Sequence, residues 1–278
     1  MPVTVPSYLA SRIVRRLPRK TIGQLVGRVC DARLPPAVCR AVIDLFCRVY
    51  DIDLSEVEPQ TRPYESIDAF FTRRLAQGSR PVSRVPGDVV SPADGVLQSI
   101  GRIDPGCRIV VKKKSYDVAR LVGDECLARA MVGGQFAVVY LSPRDYHRVH
   151  APVSGTVSTV RGIAGELYPV NGVGEVCSRA LLVGNKRVVI DIDTQTIGHV
   201  VVVLVGAMVV GRISVGSLPF MDVPDGVHAL EPPFVLEPGD EIGAFHLGST
   251  AVVLVGSEAC SWCRPVGPIR VGESLVRL

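Results

Sequence analysis

The sequence predicts an α+β protein that is mainly β: an N-terminal helical segment followed by a compact antiparallel β sandwich or barrel. Three observations carry this. Apolar residues in the first 50 positions recur at three- and four-residue spacing, as on one face of a helix. From about residue 88 onward, short Val- and Ile-rich runs alternate with Gly, Pro, Asp and Asn. The 278 residues are 47% hydrophobic and 21% charged, enough to bury a sizeable core, which argues against disorder, a collagen-like fibre or a small disulfide scaffold. No apolar run reaches the ~20 residues that cross a bilayer. The longest, residues 200–210, holds Gly206 and is mostly valine, which suits a buried strand.

Taken in order, Leu9, Ile13 and Leu17 mark a first helix that Pro18 stops. Thr21 and Gln24 form a capping box for a second, whose Ile22, Leu25, Val26 and Val29 share a face. Pro35 and Pro36 precede a third, striped by Val38, Val42, Leu45 and Val49. Ser66 caps a fourth, running through Ile67, Phe70, Phe71 and Leu75 towards Gly78. Residues 1–60 are expected to form a basic amphipathic segment and 61–278 a β-rich domain. Within the latter, 108–111, 136–141, 155–160, 187–192, 200–210 and 250–255 read as strands. Five prolines between 217 and 240 make that stretch a surface connection.

Charge is uneven. The first 50 residues hold nine Lys/Arg and two Asp, a net of +7; the whole chain is +4, so the remainder is −3. Such a head meets something anionic. Few aromatic residues interleave with its arginines, which disfavours nucleic acid; an anionic lipid surface, with leucines among acyl chains and arginines at headgroups, and an ordinary helical cap packed on the body with its arginines solvated both fit. The eight cysteines are scattered and no secretory signal is read before them, so a reduced, cytoplasmic setting is expected. Cys260 and Cys263 have C-x-x-C spacing, but no second pair completes a zinc site.

Three stretches place reactive side chains beside conformationally special ones. In Ser91-Pro92-Ala93-Asp94-Gly95, a tight bend holds Asp94. In Asp145-Tyr146-His147-Arg148-Val149-His150, two of the five histidines lie three apart, facing opposite ways on a strand or converging at a turn. Histidine carries protons near neutral pH, so the pair is an acid/base candidate. In His246-Leu247-Gly248-Ser249-Thr250, Gly248 permits close approach beside the Ser249 hydroxyl.

Together with Ser66-Ile-Asp-Ala-Phe-Phe-Thr-Arg-Arg-Leu75 and the VGAMVVGRI run at 205–213, these stretches resemble the phosphatidylserine decarboxylases, in particular the bacterial proenzyme type. The resemblance spans roughly residues 60–256. It implies that the bond between Gly248 and Ser249 is broken autocatalytically, giving a β chain 1–248 and an α chain 249–278 headed by a pyruvoyl group made from Ser249. It also implies that Asp94, His150 and Ser249 form the cleavage triad, with Asp94 fixing the tautomer of His150, and that His147 transfers a proton during decarboxylation. The mature enzyme would bind phosphatidylserine through a Schiff base to the pyruvoyl group and release phosphatidylethanolamine and CO2, without PLP or metal. Peripheral attachment to the cytoplasmic side of the cell membrane and a possible homodimer are implied as well.

His246 is the rival base. Three residues from Ser249 on an extended segment, it should face away. The Lys112-Lys113-Lys114 run and the Cys260/Trp262/Cys263 tail depart from the family pattern. The competing readings are a serine hydrolase using the same triad, a pyruvoyl decarboxylase of a soluble amino acid, and a non-catalytic binding domain.

Overall fold

The computed structural model describes residues 18–170, 177–178, 180–208, 211–247, 249–256 and 261–277. The helix expected at 9–17, Gly248 and Cys260 lie outside these. Six helices are described: α1 Arg19–Asp31, α2 Pro36–Tyr50, α3 Ile67–Phe71, α4 Val118–Val122, α5 Glu125–Ala130 and α6 Leu181–Gly184. The first eight strands are β1 Val89–Val90, β2 Gly95–Arg102, β3 Arg108–Val111, β4 Lys114–Asp117, β5 Gln135–Leu141, β6 Arg148–His150, β7 Gly155–Ile163 and β8 Arg187–Thr194. The others are β9 Gly198–Gly206, β10 Arg212–Val215, β11 Gly226–Leu236, β12 Glu241–His246, β13 Ser249–Val255, β14 Ser261–Trp262, β15 Gly267–Ile269 and β16 Ser274–Arg277.

Helix ends follow local chemistry. Pro18, with its preset φ, starts α1 at Arg19, so Thr21 lies inside the helix and the expected capping box does not form. Pro36 opens α2 as expected. The Ser66 hydroxyl accepts from the Ala69 N–H at 3.1 Å and caps α3. That helix stops at Phe71, short of Gly78: the Thr72 hydroxyl donates to the Asp68 carbonyl at 2.8 Å, offering the backbone an alternative to another turn.

The main sheet is antiparallel with strand order β11-β7-β8-β9-β13-β5-β2-β15. It is open at both ends, so no closed barrel forms among the described residues. Its central strands are apolar throughout because both faces are covered. Val200, Val202 and Leu204 of β9, with Ala251 and Val253 of β13, enter one core; Val201, Val203 and Val205, with Val252 and Leu254, enter the other. The first core is closed by the small sheets β1-β16-β14 and β10-β12-β6, giving a sandwich on that face. On the opposite face, the β3–β4 hairpin and α4, α5 and α6 complete the second core.

The stretch 217–240 departs from the expected connection, since β11 occupies Gly226–Leu236. Pro232 and Pro233 lie where the β11–β7 register shifts, between Ala229 and Phe234. At a sheet edge a missing N–H breaks no second ladder. In the N-terminal region, Cys39, Ile43, Ile52 and Phe70 form a third core joining α2 to α3. None of the described helices is long and apolar enough to cross a membrane.

Candidate active site

The small and large sheets share one crossing that bears on chemistry. β12 ends at His246 and β13 begins at Ser249, so the chain changes sheets between them. Leu247 at this crossing has φ 69°, a left-handed conformation uncommon for a side chain with a Cβ. Ser249 sits between Leu141 of β5 and Gly206 of β9 in the sheet register. Its side chain is fully buried, and its Oγ has no hydrogen-bond partner among the described residues. A buried hydroxyl left unpaired costs about 1–3 kcal/mol, so its persistence asks for a chemical reason.

The two histidines share that property. His147 lies just before β6, and its Nδ1–H donates to the Asp145 carbonyl at 2.8 Å. His150 ends β6, and its Nδ1–H donates to the Gly239 carbonyl at 2.7 Å. Carbonyl oxygens only accept, so both protons sit on Nδ1 and both Nε2 atoms carry lone pairs. Those Nε2 atoms are buried with no partner among the described residues. Burial pulls the His147 pKa down to about 3, the Asp145 bond opposing this and the nearby Arg73 charge adding to it. Burial also lowers that of His150. Both imidazoles are therefore neutral bases at neutral pH.

Asp94 is brought to the same region. Gly95 (φ 150°) lets β2 meet β5: a Cβ there would stand 2.2 Å from the Tyr140 carbonyl oxygen, so only glycine fits. The His150 N–H donates to the Pro92 carbonyl at 2.8 Å, joining β6 to the Asp94 turn. The Asp94 carboxylate, however, does not bond to His150. It accepts from Arg80 Nε at 2.9 and 3.0 Å, from Arg80 Nη2 at 2.5 Å and from the Val271 N–H at 2.8 Å. The tautomer of His150 is thus set by Gly239 rather than, as expected from the sequence, by Asp94. The carboxylate acts on His150 through its charge, which favours the imidazolium.

Register separates the two histidines along β12. His150 pairs with Glu241 at the start of that strand. The His147 carbonyl accepts from the Phe245 N–H at 2.9 Å, one residue before the end that runs towards Ser249. His246 is fully engaged: its Nδ1 meets both Asp68 oxygens at 2.9 and 2.8 Å, and its Nε2 lies 3.0 Å from the Ser214 Oγ. Setting it aside as a base agrees with these bonds, although the reason differs. The segment is broken at Leu247, so strand alternation does not decide its direction. Cys263 is a free, exposed cysteine, and no group of three or more His, Cys, Asp or Glu converges among the described residues.

Several neighbours were not singled out as site residues. Asp68, Phe71 and Arg73 all fall in the Ser66–Leu75 block that carried the resemblance, and Phe71 packs on His147 with ring centroids 4.0 Å apart. Arg80 had no signal beyond its charge.

The profile of the family described as "Phosphatidylserine decarboxylase" matches residues 67–277. A phosphatidylserine decarboxylase proenzyme of Anaeromyxobacter sp. (strain K) is 38% identical over 273 residues, covering 94% of this chain and 95% of the relative. One from Pseudomonas aeruginosa (strain LESB58) is 39% identical over 271 residues, 93% of each. One from Acinetobacter baumannii (strain AYE) is 40% identical over 247 residues, covering 88% and 87%.

Proposed function

The chain belongs to the phosphatidylserine decarboxylase family, and from that premise we propose that it is a proenzyme that cuts itself between Gly248 and Ser249 and then acts at a membrane surface. It converts phosphatidylserine to phosphatidylethanolamine and CO2. The observation that supports the cut most directly is the buried, unpartnered Ser249 Oγ beside the left-handed Leu247.

Cleavage uses the chain's own groups. His150 Nε2 takes the proton from Ser249 Oγ as the oxygen attacks the Gly248 carbonyl carbon. The peptide becomes an ester at Ser249. Loss of the Ser249 α-proton and departure of the ester oxygen free the 1–248 chain. The dehydroalanine left behind takes up water and releases ammonia, giving the pyruvoyl end. Asp94, held by Arg80 and the Val271 N–H, stabilises the imidazolium through space.

The site fits a ketone at that end: Ser249 is buried, and His147 and His150 each keep a buried Nε2 with no partner among the described residues. A pyruvoyl group supplies a carbonyl that takes the substrate amine and draws off electrons as the Cα–carboxylate bond breaks. His147 begins with a lone pair at Nε2, so it accepts a proton, from the substrate ammonium, before it returns one to the substrate Cα. Borohydride added with phosphatidylserine should fix the lipid to the 249–278 fragment. Labelling of the 1–248 chain, or of neither, would remove Ser249 as the reacting end.

Membrane attachment is supported by an uncovered apolar stripe. Val38, Val42, Leu45 and Val49 repeat at helical spacing on α2 yet are 36–66% exposed, and Leu25 and Val29 on α1 are 61% and 53% exposed. Arg28, Arg33, Arg40 and Arg48 are exposed in the same helical region. Each cation near an anionic leaflet contributes about 1 kcal/mol, and the stripe supplies apolar area for the interface. Attachment is then peripheral, on the cytoplasmic side. Replacing Leu45 and Val49 together by Glu should lower partition onto phosphatidylserine vesicles at least about tenfold, with self-cleavage intact. Unchanged partition would exclude this face.

A further inference from the structure

Arg73 follows α3 and is 4% exposed. Its Nη2 donates to the Arg144 carbonyl at 3.1 Å, and its guanidinium lies 5.0 Å from the centre of the Phe70 ring. Nε and Nη1 are buried with no hydrogen-bond partner among the described residues. The carboxylate that acts on it from a distance, Asp145, is already held by the N–H and hydroxyl of Ser142, at 2.7 and 2.8 Å. A buried cation without a counter-ion is strongly unfavourable unless something anionic completes it. Arg73 also lines a cavity of about 400 Å³ together with Asp94, Ser142, Asp145 and Tyr146. That cavity includes the cleavage-site carboxylate and lies beside the His147 loop.

We infer that Arg73 binds the phosphodiester of the phospholipid headgroup through its Nε–H and Nη1–H. The assignment rests on the decarboxylase reading and extends it to a specific substrate contact. Two anionic groups of phosphatidylserine could meet a guanidinium, and the chemistry separates them. The carboxylate leaves as neutral CO2, so a cation holding it would stabilise the ground state more than the transition state and slow the reaction. The phosphodiester keeps its charge throughout, so a cation there anchors the headgroup without opposing bond breaking. The planar guanidinium fork suits two phosphate oxygens. The position has a second consequence. Burial, and after it the Arg73 charge, work against protonating His147. An anion paired with Arg73 removes the latter opposition, so His147 becomes a better proton carrier when substrate is bound.

The test compares wild type, Arg73→Gln and Arg73→Lys in mixed micelles, with intact mass and thermal melting recorded first. Arg73→Gln should cleave itself normally and raise KM for phosphatidylserine about 100-fold while kcat stays within about threefold. The product, phosphatidylethanolamine, retains the phosphodiester and lacks the carboxylate. Its inhibition constant should rise by a similar factor, which a merely structural arginine would not cause. Arg73→Lys, a point charge that cannot form the fork, should fall between, at about tenfold. An unchanged inhibition constant for phosphatidylethanolamine would assign Arg73 to the carboxylate and overturn the inference. So would a fall in kcat alone, or loss of self-cleavage in both variants, which would make Arg73 a strut of the fold. A wild-type protein without phosphatidylserine turnover would overturn the decarboxylase reading itself, and this assignment with it.

Discussion

Ser249→Ala should yield one chain of 278 residues with no detectable decarboxylation. The alanine removes the only atom that can attack the Gly248 carbonyl in the proposed cleavage, and with it the precursor of the ketone. The variant should fold, because Ser249 Oγ makes no hydrogen bond among the described residues, and deleting an unpaired buried hydroxyl relieves a penalty of about 1–3 kcal/mol. A folded, full-length, inactive protein is therefore the expected product. A serine hydrolase with the same residues would also lose activity here, but its wild type would never have been two chains. A Ser249→Ala protein cut at the same place would show that another group starts the cleavage.

His147→Ala and His150→Ala should fail in different ways. Without His150 the serine proton has no acceptor, so the precursor should accumulate. Without His147 the cut should still occur, while turnover falls by about a thousandfold, within the usual range for losing a general acid–base group. Intact mass and CO2 release on each purified variant distinguish the outcomes. The sheet register makes this a demanding prediction. His147 is tied to Phe245, near the end of β12 that runs towards Ser249, whereas His150 pairs with Glu241 at the other end. If His147→Ala blocked the cut and His150→Ala allowed it, the two roles would have to be exchanged.

Much of this was legible in the sequence where one residue's surroundings are local. Ser66 caps α3 through an N–H three residues away. The valines from 200 onward are apolar on both faces, which signals a strand covered twice. Asp94, His147 and His150 stood out because reactive groups sat beside Pro and Gly. What sets their chemistry was not legible. The carbonyl fixing His150 comes from Gly239, 89 residues away, and the N–H on Asp94 from Val271, 177 away. Backbone groups carry no residue signature, so no motif could announce them. Proline misled in both directions: at 18 it starts a helix sooner than the Thr21 cap suggested, and at 232 and 233 it sits in an edge strand rather than a loop. The unpaired nitrogens of Arg73 emerge only once burial is known.

The most direct measurement is the intact mass of the purified, active wild-type protein. The proposed cleavage predicts two species, residues 1–248 and a 30-residue fragment from Ser249 to Leu278, the latter blocked at its first residue by a pyruvoyl group. Full decarboxylase activity from a preparation in which every molecule keeps the mass of the uncut chain would contradict it.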